Sequence, residues 1–433
     1  MKKTIYSFIF VLVVLCTLKI ENCFAQMGWY ELNSGTTEKL YSVYFVDANS
    51  GCVVGYTGIV LKTTNAGVNW LSQTVSSTHL FYSVFFTDIN TGYIAGGVYG
   101  SLDSGNVFKT TNGGANWNAL ILPKYSQYFY VNFLNPNTGY VTGYQTILKT
   151  TNAGSTWESK SFTGLGLITS VYFVDANVGF ASEYDNGMIM KTTNGGNDWQ
   201  EIFVYSGDGG FFSLHFLDSN TGTVVGGNSA AVGDAVILRT TNGGVDWTNI
   251  AFNNSNISRL WSVKFVTPSI GYISGGGNTG NCAILKTTNG GINWYFQAAN
   301  PGNMLNGNYF MNANTGYAVG SNGRIIKTTD GGGALIGIKT ESNNVPERYF
   351  LSQNYPNPFN SMCNVQFSMH NAGNVKLVVY DVMGREVKTL VNEKLRPGTY
   401  ETSFDGSMLP SGVYFYKLIT EGFSETKRML MIK

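Results

Sequence analysis

The chain has 433 residues, of which 12% are charged, and its net charge is +1. That balance leaves no basic footprint for nucleic acid or for an anionic membrane surface. With 53 glycines, 14% aromatic residues and no long helical apolar periodicity, the composition favours short strands joined by Gly and Asn turns, so an all-β protein is expected.

The chain opens "MKKTIYSFIFVLVVLCTLKIENCFAQ". Lys2 and Lys3 precede an apolar run about half as long as the roughly 20 residues a bilayer-spanning helix needs. Small residues follow, so a cleaved secretory signal over residues 1–25 is expected, with the cut between Ala25 and Gln26. Neither Cys16 nor Cys23 has the small-residue context of a lipoprotein signal, which argues against a lipid anchor. Cys52, Cys282 and Cys363 then remain, too scattered for a disulfide framework or a metal-ligand spacing.

Beyond the signal the chain is periodic. "LKTTNAGVNW" at 61–70 returns as "FKTTNGGANW", "LKTTNAGSTW", "MKTTNGGNDW", "LRTTNGGVDW" and "LKTTNGGINW". The basic residue before each threonine pair falls at Lys62, Lys109, Lys149, Lys191, Arg239, Lys286 and Lys327, 40 to 48 residues apart. Short strands at that period are the signature of propeller blades, each a four-stranded sheet. In the first unit "LYSVYFVDANSG" gives a strand and a turn, "CVVGY" a second strand, "IVLKTT" a third, and Trp70 opens a fourth. "FYSVFFTDINTGYIAGG" and "LWSVKFVTPSIGYISGG" repeat this order, with the alternation of strands stacked face to face. The seventh unit, "NYFMNANTGYAVGSNGRIIKTTDGGGALIG", has no Trp after Gly332, whereas an unpaired "GWYELNSG" stands before the first unit. Residues 29–34 are therefore predicted to supply the missing outer strand, closing a seven-bladed ring over 26–335 and removing free sheet edges.

Thr63, Asn65, Gly67 and Trp70 fit the spacing Ser/Thr-x-Asp/Asn-x-Gly-x-x-Trp. This resembles the Asp-box of sialidase-like and sortilin-like propellers, with Thr for Ser and Asn for Asp. The Asn–Trp pairs are Asn65 and Trp70, Asn112 and Trp117, Asn152 and Trp157, Asn194 and Trp199, Asn242 and Trp247, and Asn289 and Trp294. Local chemistry accounts for the spacing: the Asn side chain binds nearby backbone, Gly takes positive φ, and Trp covers apolar sheet. A catalytic site needs one asymmetric constellation, so a corner repeated in every blade reads as architecture. The "KTTNGGxxW" segments also resemble the group related to the photosystem II assembly and stability factor, over residues 27–335. That resemblance implies a binding scaffold and transfers no partner.

After Gly333 the repeat stops, and 336–350 is expected to be a polar linker. "LSQNYPNPFN", "VKLVVYDVMGREVKTLVNEKLRPGTYETSFDGSMLPSGVYFYKL" and the terminal "ETKRMLMIK" resemble the type A C-terminal sorting domain of the type IX secretion system of Bacteroidetes and related phyla. Met362 and Cys363 stand where relatives more often have "PST". The resemblance implies Sec export, passage through the outer membrane and removal of this domain, with the propeller released or held at the cell surface. Read directly, 351–433 shows alternating strands separated by "MGRE", "RPGT" and "LPSG" turns, which predicts a small immunoglobulin-like β-sandwich.

Catalytic signals are weak. A sialidase needs an arginine cluster, a Tyr/Glu nucleophile pair and an acidic donor, and the propeller offers only Arg239, Arg259 and Arg324. His79, His215 and His370 have no nucleophile or metal partners in sequence, and "EYDNG" at 183–187 and "GDGG" at 207–210 lack the ligand alternation of a calcium loop. No catalytic residue, metal or cofactor is expected. Unit length varies in the loops between second and third strands and between fourth and first, on the face opposite the Asp-box turns. Irregular loops on a rigid frame are where recognition resides, which singles out Tyr56, Tyr99, Asp103, Tyr144, Tyr184, Asp185, Asp234 and Arg324. The expected function is an exported, non-catalytic propeller that binds extracellular protein or glycan. The competing expectation is a secreted sialidase-like or polysaccharide-active hydrolase.

Overall fold

The computed structural model describes residues 28–432, except 103, 124–125, 208, 229–233, 253–256, 278–281, 298–301, 334, 337–338, 343–344, 361 and 407–408. The expected signal segment, with Ala25 and Gln26, lies outside the described residues, as does Asp103. Among the described residues no helix is long and apolar enough to cross a membrane.

Seven successive antiparallel units form a β-propeller. The first strands are Leu40–Phe45, His79–Phe86, Tyr128–Phe133, Ile168–Phe173, Gly210–Phe216, Arg259–Phe265 and Leu305–Phe310, and they define blades 1 to 7 in chain order. Blade 7 takes its outer strand from the start of the chain: Tyr30–Leu32 pairs antiparallel with Ile325–Thr328, matching Tyr30 with Lys327 and Leu32 with Ile325. Arg324 reinforces this closure, its guanidinium donating to Glu31 Oε1 at 2.8 and 2.9 Å.

The repeated sequence builds the same corner in each blade. Thr63 Oγ1 donates to Asn65 Oδ1 at 3.0 Å and accepts the Gly67 N–H at 2.9 Å, while Asn65 Oδ1 also accepts the Asn69 N–H. Gly67 sits at φ 83, where a side chain would be strained and would also run into Leu32. Trp70 then packs edge-on against Phe45, with ring centroids 6.1 Å apart, and the other five box tryptophans meet the equivalent phenylalanines at 5.6 to 6.2 Å. In blade 7 Trp29 takes this place against Phe310 at 5.7 Å, and the Gly28 N–H donates to Asp330 Oδ2.

The repeat lysine joins neighbouring blades. Lys109, Lys191, Lys286 and Lys327 donate through Nζ to the carbonyl oxygens of Ala153, Gly243, Gly331 and Ala66, each in the box turn of the next blade. Arg239 reaches Gly290 in the same way. Beside several of these lysines a second-strand tyrosine stacks on the next blade's phenylalanine: Tyr93 on Phe133, Tyr140 on Phe173, Tyr272 on Phe310 and Tyr317 on Phe45, at 3.6 to 4.1 Å.

The C-terminal residues form two four-stranded sheets around one apolar core that includes Val365, Phe367, Leu377, Tyr416 and Met429. Lys339–Ser342, inside the stretch expected to be a linker, pairs with Gly398–Asp405 as an edge strand. Backbone pairing suffices at an edge, so polar composition does not prevent it. "YPNPFN" is clipped to the chain end: Phe359 N–H donates to Leu430 O, Ile432 N–H to Phe359 O, and Leu430 N–H to Asn357 Oδ1.

Candidate functional site

The first strands of all seven blades line a central cavity of about 520 Å³. In each of them the register shifts between the first and third residues of the repeated run, as between Leu40 and Ser42 or Phe81 and Ser83. This bulge frees the residue between them from pairing and re-aims it. Those residues are Tyr41, Tyr82, Phe129, Thr169, Phe212, Trp261 and Asn306, and all seven line the cavity. They sit at the end of the strands that follows the long loops, as the Tyr56 N–H bond to Lys39 O shows.

The aromatic members form two arcs, the second of them extended by Tyr184. Tyr41, Tyr82 and Phe129 follow one another at 5.2 and 5.3 Å, and Tyr184, Phe212 and Trp261 at 4.8 and 4.1 Å. Lys39 bridges the arcs, with Nζ 4.9 Å from the Tyr41 ring and 5.9 Å from the Trp261 ring, and the Arg259 guanidinium lies 5.6 Å from Trp261. Burial, with the neighbouring Arg259 charge adding to it, lowers the Lys39 pKa below its ordinary value. Burial, then Tyr56 and Tyr99, pushes the Tyr41 phenol up to about 12. Among the described residues, no Asp or Glu lines this cavity. Arg259 Nε, Asn306 Oδ1 and Asn308 Oδ1 are buried there and lack hydrogen-bond partners among the described residues.

Deeper in the channel Tyr44 packs on Phe85 and Tyr309 at 5.0 and 4.8 Å, and Tyr172 on His215 at 4.5 Å. Burial, then Lys264, holds the His215 imidazole well below its ordinary pKa. Serines of the first strands tie adjacent blades: Ser42, Ser83 and Ser213 accept the backbone N–H groups of Val84, Val131 and Val263.

The loop residues singled out from sequence have separate fates. Tyr184 belongs to the channel wall. Tyr56 and the exposed Tyr99 pair edge-on at 6.0 Å outside it. Tyr144 bridges to Leu167, and the exposed Asp185 accepts the Leu167 N–H at 2.8 Å. Next to it, the buried Glu183 carboxylate accepts N–H groups from Gly166, Asp185 and Asn186, a structural engagement. Asp234 stands in the loop after Gly227, away from the lining of the channel. Arg324, only 8% exposed, is committed to Glu31 and to Asn303 O. Among the described residues, no group of three or more His, Cys, Asp or Glu is placed to hold a metal ion.

Fold and channel together define a seven-bladed β-propeller joined to a small β domain. Residues 353–433 match the family described as the secretion system C-terminal sorting domain, which indicates export by the type IX system. The propeller is similar in fold to YCF48 from Cyanidioschyzon merolae, at 18% identity over 70% of this chain and 98% of that one, with a TM-score of 0.56. It is likewise similar to YCF48 bound to D1 peptide, at 18% identity, 70% and 97% coverage and a TM-score of 0.55. The WD40 β-propeller domain of Doa1 follows at 12% identity, 70% and 96% coverage and 0.54. No curated protein matches the sequence significantly.

Proposed function

We propose that this protein is an exported, non-catalytic binding propeller that holds an extracellular protein or glycan segment at the mouth of its channel. The observation that carries this reading is the aromatic ring of Tyr41, Tyr82, Phe129, Phe212 and Trp261, with Lys39 and Arg259 beside it and no acid among the described residues of the wall. Flat rings offer stacking area at low entropic cost, and two close cations favour a ligand bearing a carboxylate or another acid. The three unpartnered polar atoms supply further donors and acceptors. A propeller of this fold, YCF48, is known bound to D1 peptide, which supports a peptide segment as one such ligand. The N-terminal signal carries the chain to the Sec pathway and the sorting domain addresses it across the outer membrane, after which the propeller is released or held at the surface.

The test is retention of the purified exported protein on glycan and acidic-peptide arrays, followed by titration of the hits. Trp261→Ala and Lys39→Ala should each weaken binding by about tenfold or more, and added salt should weaken it for acidic hits. Equal affinity in both variants would remove the channel mouth as the site. Turnover of a glycoside panel would replace the reading with a hydrolase.

A further inference from the structure

The seven blade junctions are not alike, and the difference between them points to a second binding site. At each junction a second-strand residue pairs with the repeat basic residue: Tyr93 with Lys109, Tyr140 with Lys149, Phe180 with Lys191, Thr223 with Arg239, Tyr272 with Lys286 and Tyr317 with Lys327. Five of these six residues are aromatic and stack on the next blade's phenylalanine at 3.5 to 4.1 Å. The phenols of Tyr93, Tyr140 and Tyr317 donate to the box carbonyls of Ala153, Gly195 and Ala66 at 2.8 to 3.0 Å. At the exception, Thr223, the longer Arg239 donates through Nε to Gly290 O.

Between blades 1 and 2 the same register position, opposite Lys62, holds Cys52. A cavity of about 220 Å³ opens there, lined by Cys52, Lys62, Phe86, Ile89, Asn90 and Gly113 among others. Phe86 is the counterpart of the phenylalanines that carry a tyrosine elsewhere, and Gly113 supplies the box carbonyl. Lys62 makes no hydrogen bond among the described residues, unlike Lys109, Lys191, Lys286 and Lys327. Exposed Ile89 and Asn90 flank the cavity and give it a route to solvent. An apolar cavity of about 150 Å³ is enough to take benzene. Buried at 4% exposure, Cys52 acts as a small apolar group, its thiol pushed up to about 12 by burial despite nearby Lys62.

We propose that this slot between blades 1 and 2 binds a free monocyclic phenol, whose ring stacks on Phe86 and whose hydroxyl bonds the Gly113 carbonyl beside Lys62. The ligand thereby takes the place that a tyrosine side chain of the protein itself fills at four other junctions. This site lies on the Asp-box side, away from the channel mouth, and does not depend on what the mouth binds.

The probe is p-cresol, the tyrosine side-chain analogue, titrated calorimetrically into the purified protein. Saturable one-to-one binding is expected, with toluene weaker by about tenfold for want of the hydroxyl. Cys52→Ala should keep the site. Cys52→Tyr should abolish p-cresol binding and raise the melting temperature. Absence of saturable binding at 10 mM, about the weakest affinity such a contact set would give, overturns the proposal. So does unchanged binding in Cys52→Tyr, and so does a Cys52→Tyr chain that fails to fold, because the slot would then reject the ring. Loss of p-cresol binding in Trp261→Ala with retention in Cys52→Tyr would place the ligand in the channel instead.

Discussion

Replacing Trp29 by Ala tests the closure of the ring. The Trp29 side chain is 5% exposed, meets Phe310 edge-on at 5.7 Å and donates its indole N–H to Gln297 Oε1 at 3.1 Å. About 200 Å² of buried ring at about 25 cal/mol per Å² gives an upper bound near 5 kcal/mol, and Trp→Ala changes in cores typically cost about 3–5 kcal/mol. The substitution also leaves the buried Gln297 oxygen unpaired, so a loss of about 4 kcal/mol is expected. Trp29→Phe keeps an aromatic ring and should lose only about 1–2 kcal/mol. Guanidinium unfolding followed by near-ultraviolet circular dichroism measures the loss. Hydrogen exchange locates it, and protection should fall first in Tyr30–Leu32 and Ile325–Thr328, which pair with each other. A loss for Trp29→Ala below about 1 kcal/mol, or unchanged exchange in those two strands, would refute the view that the start of the chain holds the ring shut.

Three further outcomes are expected. Asp47 and Asp175 accept backbone N–H groups of the two residues that close their turns, and those bonds depress both carboxyl pKa values below the ordinary 3.8. Their contribution is full above that value and is lost as pH falls through the depressed values. Asp47→Asn with Asp175→Asn should therefore flatten stability below about pH 4, because Asn135 and Asn312 make the same bonds without charge. His215 is kept neutral in the fold, whereas the unfolded chain protonates it below 6.5. Stability is thus lost as pH falls below that value, and thermal melts of His215→Phe between pH 7 and pH 5 should show a shallower decline, a window set by the ordinary histidine pKa. In the sorting domain Tyr416 Oη accepts the Asn354 N–H at 2.8 Å and donates to Ser352 O at 2.6 Å. Tyr416→Phe orphans that N–H and should destabilise the domain by about 1–3 kcal/mol in urea unfolding.

Much of the fold was legible because the repeat writes its own geometry. The Thr, Asn, Gly and Trp of each box act within ten residues of one another, so spacing alone conveys the turn. The stray Trp29 revealed the closure because six other tryptophans had defined its counterpart. The channel wall was harder to see. Tyr41, Tyr82 and Trp261 stand in plain view in "LYSV", "FYSV" and "LWSV", but simple alternation puts them on a sheet face, and only the bulge turns them inward. Loop irregularity points to Tyr56 and Tyr99, which flank the mouth, and to one wall residue, Tyr184. In sequence Arg324 reads as free for a ligand because its partner Glu31 lies 293 residues away, beyond any local signal. The repeat lysine likewise acts across blades, at a separation of 44 residues for Lys109 and Ala153.

Closing a circle with its own first strand has a consequence for assembly. Tyr30–Leu32 is made early and has no partner until Ile325–Thr328 arrives. Until then each molecule carries two complementary ends, and at high concentration one end can be captured by a second molecule. Strand-exchanged dimers, each clasping the other's last blade, are the aberrant product this topology invites, and dilution during refolding is the condition that suppresses them.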